Sequence, residues 1–260
     1  MLYRVKKGSA VALLVIMMCI SQMASATLVE RAGGQAFYDT VLDITWLTNV
    51  NLAQSEDFGV AGIRASGLMT LDTANEWIGA MNSAGYLGLD TWRLPSITPI
   101  NGAMFNRNWS VDGSTDRAQN VSAAGSAFAG STASEIAHLY FNTLGNISKK
   151  DVSGGDTPCS DPTVSCLSNT GPFTGLLNEA GLNNSRTWSS ANPFEDGKVM
   201  FFNFNGNQNE VLPNELIIGS AWAVASGDAL VPIPAAVWLF ASGIGLLVGW
   251  NRKQQVRIAT

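Results

Sequence analysis

An α+β body spanning residues 27–228, preceded by a leader and followed by one transmembrane helix, is what this 260-residue sequence predicts. Three observations carry the prediction. Two segments, near residues 71–83 and 135–144, repeat apolar residues at helical spacing. Short runs rich in β-branched and aromatic residues lie before and after them, without the regular alternation of an α/β chain. From Ala229 to Trp250 there is no charge over 22 residues.

In chain order, Arg4, Lys6 and Lys7 form a basic n-region, and Val11 to Ile20 is an apolar h-region too short to span a bilayer. Ala24-Ser25-Ala26 is a small-x-small site at which signal peptidase cuts, so the mature chain is expected to begin at Thr27. Gln35 to Tyr38 and Ile44 to Leu47 read as strands, with Asp39, Thr40 and Asp43 near the turn between them. Leu71, Ala74, Trp77, Ile78 and Met81 share one helical face, Thr70 caps it and Gly85 ends it. Trp92 to Leu94 is a short strand closed by Pro95. Ile100 to Ser131, rich in Gly, Ser, Asn and Ala, is expected as a long surface insertion. Thr132 and Glu135 have capping-box spacing ahead of a second helix, one face of which is Ile136, Leu139, Tyr140, Thr143 and Leu144. Gly145 stops it. Lys149 to Pro172 is a second loop. Arg186–Ser189, Lys198–Phe204 and Ser220–Ala225 read as strands, with an Asn205-Gly206 turn after the second.

Charge narrows the partners. The body carries 9 basic and 20 acidic residues, a net charge of −11. Such a body does not bind nucleic acid or anionic lipid by bulk electrostatics. Two cysteines remain after the leader, Cys159 and Cys166, and in an oxidising compartment they are expected to close a local disulfide.

The residues suggest no catalytic or metal site. The sole histidine, His138, falls among apolar helical positions, and no Gly-x-Ser-x-Gly elbow is present. Asp112 to Asp116, and Asn192, Glu195, Asp196, Asn203 and Asn205, offer hard oxygen donors of the kind calcium takes, although such loops are commonly plain turns. Trp92, Arg93 and Trp188 are candidate ligand-binding residues: an indole at a strand end can stack on a sugar. The alternative is that the tryptophans fill the core and Arg93 makes an internal ion pair.

Gly85-Tyr86 through Trp92-Arg93-Leu94-Pro95 resembles the GY…WRLP signature of the Lcl C-terminal-like domains. Asp43-Ile44-Thr45-Trp46-Leu47, Ser134 to Asn146, Asn169-Thr170-Gly171-Pro172-Phe173, Thr187-Trp188-Ser189-Ser190 and Ala221-Trp222-Ala223-Val224 are similar, in order, to further segments of that family. The resemblance covers roughly Leu28 to Asp228. It implies a loop-rich C-type-lectin-like fold, a scaffold shared with formylglycine-generating enzymes, and in one branch binding of sulfated glycans. Lys149-Lys150 is the only adjacent basic pair in the body.

The tail, residues 229–260, resembles a second element. Val231-Pro232-Ile233-Pro234, the apolar span behind it and the basic stop at Arg252 and Lys253 look like the VPxPA variant of the PEP-CTERM sorting signal. That resemblance implies a membrane intermediate, cutting by an exosortase, and display or release in an exopolysaccharide-producing Gram-negative bacterium. The expected role is then an exported surface or matrix protein that binds polysaccharide. A matrix component with no ligand and an enzyme of the formylglycine-generating type are the alternatives.

Overall fold

The computed structural model describes residues 27–176, 186–189, 194–213 and 218–231. The expected leader, the expected transmembrane span behind Pro234 and the expected basic stop lie outside these residues. Among the described residues no helix is long and apolar enough to cross a membrane.

Two sheets and two short helices enclose the core, which agrees with the α+β class. The first sheet joins β1 (Leu28–Arg31), β2 (Ala36–Asp39), β3 (Ile44–Leu47) and β9 (Val224–Ser226), in that order and antiparallel throughout. The turn between β2 and β3 is built by Asp39, whose carboxylate accepts from Val41 N (2.9 Å) and Leu42 N (3.1 Å), the side-chain mimicry that makes aspartate a turn former. Arg31 and Asp228, near opposite ends of the body, pair at 2.5 Å and tie its start to its finish.

The helix α1 (Leu71–Ser83) buries Leu71, Ala74, Trp77, Ile78 and Met81. Thr70 accepts from Thr73 N at 3.3 Å, and the left-handed Gly85 (φ 62°) follows the last turn. The helix α2 (Glu135–His138) runs on as a wider π-type turn, Leu139–Thr143. Its cap differs from the expected Thr132. Ser134 is the N-cap, accepting from Ala137 N, because the Glu135 carboxylate is taken elsewhere: by Arg93, and by Ser96 N at 2.7 Å.

The second sheet has the order β4 (Trp109–Ser110), β5 (Arg117–Gln119), β8 (Asn207–Val211), β7 (Val199–Asn203) and β6 (Arg186–Trp188). Only the β4–β5 pair is parallel. β7 and β8 form the hairpin expected at Asn205-Gly206. Gly206 has φ 83°, and a Cβ there would meet Ser148 Cα at 2.6 Å, so the turn needs glycine on both counts.

Residues 100–131 are not a surface insertion. They supply β4 and β5, and Ile100, Ala118, Val121, Ser122 and Ala123 are buried. The reason is Asp116. Its carboxylate is wholly buried and accepts from Ile100 N (2.7 Å) and Asn106 N (2.6 Å), while its carbonyl accepts from Gln208 Nε2 (2.7 Å). Small side chains there permit close packing: a Cβ on Gly113 would lie 2.5 Å from Asn120 O. Residues 92–94 do not form a strand either. Arg93 makes a single bridge to Val224, with reciprocal backbone bonds of 2.8 and 2.9 Å, before Pro95 turns the chain away.

Aromatic side chains organise the core. Trp46 and Trp222 lie 4.6 Å apart with Phe173 edge-on to Trp222 at 5.0 Å, and Tyr140, Phe202 and Phe204 form a second aromatic group. Four indoles also fasten loops. Trp77, Trp92, Trp188 and Trp222 donate Nε1 to the carbonyls of Glu56, Tyr86, Met69 and Leu47, at 2.7–3.0 Å. A loop-rich chain has many carbonyls outside regular ladders. An indole fills volume and satisfies one of them at once.

Cys159 and Cys166 form a disulfide buried inside the Lys149–Pro172 loop. Loop-closure entropy for this separation of 7 residues gives about 2–3 kcal/mol of stabilisation. A Cys159→Ala/Cys166→Ala variant is expected to unfold at lower urea by that amount, read from its transition midpoint.

Candidate ligand-binding face

The ligand-binding candidates from sequence are occupied with structure. Trp92 (2 % exposed) and Trp188 (0 %) lie inside the core and offer no face to a sugar. Arg93 forks onto Glu135, with Nη1–Oε2 and Nη2–Oε1 both at 2.8 Å. The prospective stacking and ionic groups are therefore corrected to packing and to an internal ion pair. Their positions explain it: Trp92 N and O both bond to the Asn82 side chain at the end of α1, which turns the indole inward.

His138 is buried with Nδ1 3.1 Å from Ser131 O. Several of the oxygen donors considered for calcium bond within the protein itself. Asp116 holds two backbone N–H groups as described, Asp112 accepts from Ser114 N at 3.1 Å, and Asp196 pairs with Arg107 at 2.7 Å. Burial pushes the Asp116 carboxyl above its ordinary value, despite the hydrogen bonds that oppose this. Among the described residues no three His, Cys, Asp or Glu side chains are grouped to hold a metal. Asn203 and Asn205 belong to the β7–β8 hairpin, and Asn192 lies outside the described residues. Of the expected sorting motif only Val231 is described, and it is exposed. Pro232, Ile233, Pro234, Arg252, Lys253, Ala24 and Ala26 lie outside.

A different set of residues comes together on the second sheet. Strand partners share a face, so the register reads out two rows. Trp109 pairs with Arg117, Arg117 Nε donates to Asn209 Oδ1 at 2.8 Å, and Asn209 pairs with Phe201, which pairs with Trp188. In the next row Gln119 pairs with Asn207, Asn207 with Asn203, and Asn203 with Arg186. The opposite face carries Ala118, Gln208, Met200, Phe202 and Thr187, all buried.

In the first row Trp188 and Phe201 are buried in the core, Asn209 and Arg117 are half-buried and Trp109 is 45 % exposed; in the second row Asn203 and Gln119 are buried and Arg186 and Asn207 half-buried. Side chains along them brace one another. Asn203 Nδ2 donates to Asn207 Oδ1 at 2.9 Å, Asn207 Nδ2 to Asn205 Oδ1 at 2.7 Å, and the Arg117 guanidinium lies 5.8 Å from the Trp109 ring. Arg186 stands over Phe201 at 5.2 Å. Asn203 Oδ1 and Arg186 Nε are buried without partners among the described residues, a liability of about 1–3 kcal/mol each. No residue of the two rows is acidic. The nearest carboxylate on β8, Glu210, belongs to the other face and is held by Arg107 (2.5 Å) and Lys198 (3.1 Å). Burial alone would raise the Glu210 carboxyl, but those two cations outweigh it and leave it below its ordinary value.

Comparison with known protein families, with characterised proteins and with solved structures finds no match for this chain. Sequence reasoning missed the outward rows because Asn207-Gln208-Asn209-Glu210-Val211 has little strand propensity and Trp109 sat in a segment expected to be loop. The one usable signal was that run following Asn205-Gly206, where a hairpin demands a return strand.

Proposed function

We propose that this chain is an exported protein, sorted by an exosortase to the cell surface or extracellular matrix, whose acidic body binds polysaccharide rather than catalysing a reaction. The binding half rests on one observation: a braced, amide-rich sheet face that ends in an exposed indole. Planar amides and guanidinium groups pair donors and acceptors with sugar hydroxyls, and an indole covers apolar ring faces. The sorting half rests on sequence pattern. The small-x-small site at Ala24 and Ala26 would release the leader. The span behind Val231-Pro232-Ile233-Pro234, stopped by Arg252 and Lys253, would hold the chain at the inner membrane until it is cut. The resemblance to Lcl C-terminal-like and PEP-CTERM proteins supports both halves.

An epitope placed within the body and followed in an exosortase-bearing host tests the sorting. The chain is expected in the medium or surface fraction, shortened at both ends. In a strain lacking the exosortase it is expected in the membrane fraction with its tail intact. A full-length cytosolic product in both strains would refute the proposal.

A further inference from the structure

We infer that the outward face of the second sheet, around Trp109, Arg117 and Asn209, is a binding site for a neutral polysaccharide. The inference rests on the polysaccharide-binding reading above and gives it a place and a ligand class. Trp109 is the tryptophan among the described residues that is exposed, at 45 %; Trp46, Trp77, Trp92, Trp188 and Trp222 are all buried. Beside it, Arg117 is fixed through Nε to Asn209 and has no carboxylate partner among the described residues. Its ordering cost has therefore been met before a ligand arrives. In the next row the half-buried Asn207 amide is held by Asn203 Nδ2 and Asn205 Oδ1, a fixed polar group beside Arg117 and Asn209. β4 is the edge strand, so a long chain can lie across the indole without meeting a neighbouring strand.

Charge selects the ligand class. One open arginine does not offset a body of net charge −11, so an acidic polymer is repelled over most of its length. A neutral chain is not. Pyranose rings with axial C–H bonds present the apolar face that an indole covers, and their equatorial hydroxyls reach amides at the side.

The test is isothermal titration of the full chain in detergent with cellohexaose as the neutral probe and an oligogalacturonate of equal length as the acidic one. Cellohexaose is expected to bind, with affinity changing less than about two-fold as salt is raised, since no ion pair is screened. Trp109→Ala is expected to weaken binding by about ten-fold or more, and Arg117→Gln by several-fold, with melting temperatures unchanged. If cellohexaose binds and neither variant weakens it, this site is wrong and polysaccharide binding stands. If oligogalacturonate binds tighter and salt abolishes it, the ligand class is wrong. If neither probe binds and a wider set of bacterial exopolysaccharides also fails, the reading beneath the inference falls with it.

Discussion

Trp222→Ala is expected to cost about 3–5 kcal/mol and to lower the melting temperature by on the order of 10 °C. The indole is 1 % exposed, lies 4.6 Å from Trp46 and 5.0 Å from Phe173, and donates to Leu47 O at 2.7 Å. Its removal opens a cavity between the first sheet and the loop that carries Phe173, and leaves a buried carbonyl without its donor. Trp222→Phe separates the two losses. It keeps most of the ring volume and is expected to recover more than half of the stability, leaving about 1 kcal/mol for the missing N–H bond plus a smaller void. Chemical denaturation of both variants measures the split. A cost below about 1 kcal/mol for the alanine variant would mean that this part of the core is not packed as described.

The second large effect is expected at Glu135. Its carboxylate receives Arg93 through two bonds of 2.8 Å and Ser96 N at 2.7 Å, with its side chain 10 % exposed. Glu135→Gln keeps the shape but removes the charge, so it is expected to destabilise by about 2–3 kcal/mol; Arg93 is 31 % exposed, and water softens the loss. Arg93→Met alone leaves the carboxylate poorly paired. The double variant is expected to lie closer to the parent than the sum of the singles, because neither charge then stays buried alone. Additive singles would show that Arg93 and Glu135 act independently.

Local rules were legible where the element depends on its own residues. Thr70, the apolar stripe of α1 and Gly85 all act where their spacing places them, and Asp39 makes its turn. Legibility failed where long-range partners decide. Glu135 has capping-box spacing from Thr132, yet an arginine 42 positions away claims its carboxylate. Residues 100–131 have the composition of a loop, yet buried Asp116 folds them into a sheet by gathering backbone N–H groups that no pattern displays. β8 is made of residues poor in strand propensity and is held by ladders on both sides. The candidate face was invisible for the same reason: Trp109, Arg117 and Asn209 are neighbours only after the register of three strands is set. Trp92 and Trp188 stood out in the sequence because they are tryptophans, and the core claims most tryptophans in this chain.

The first sheet also has a timetable. β3 obtains its outer neighbour from residues 224–226, and 175 residues separate Leu47 from Trp222. At about 5–20 residues per second, synthesis leaves the opening hairpin with one bare edge for on the order of 10–35 s. During that interval a sticky border stays open to another chain's strand. Closing it falls to one of the last segments delivered, which makes a prematurely terminated chain more hazardous than a merely incomplete one.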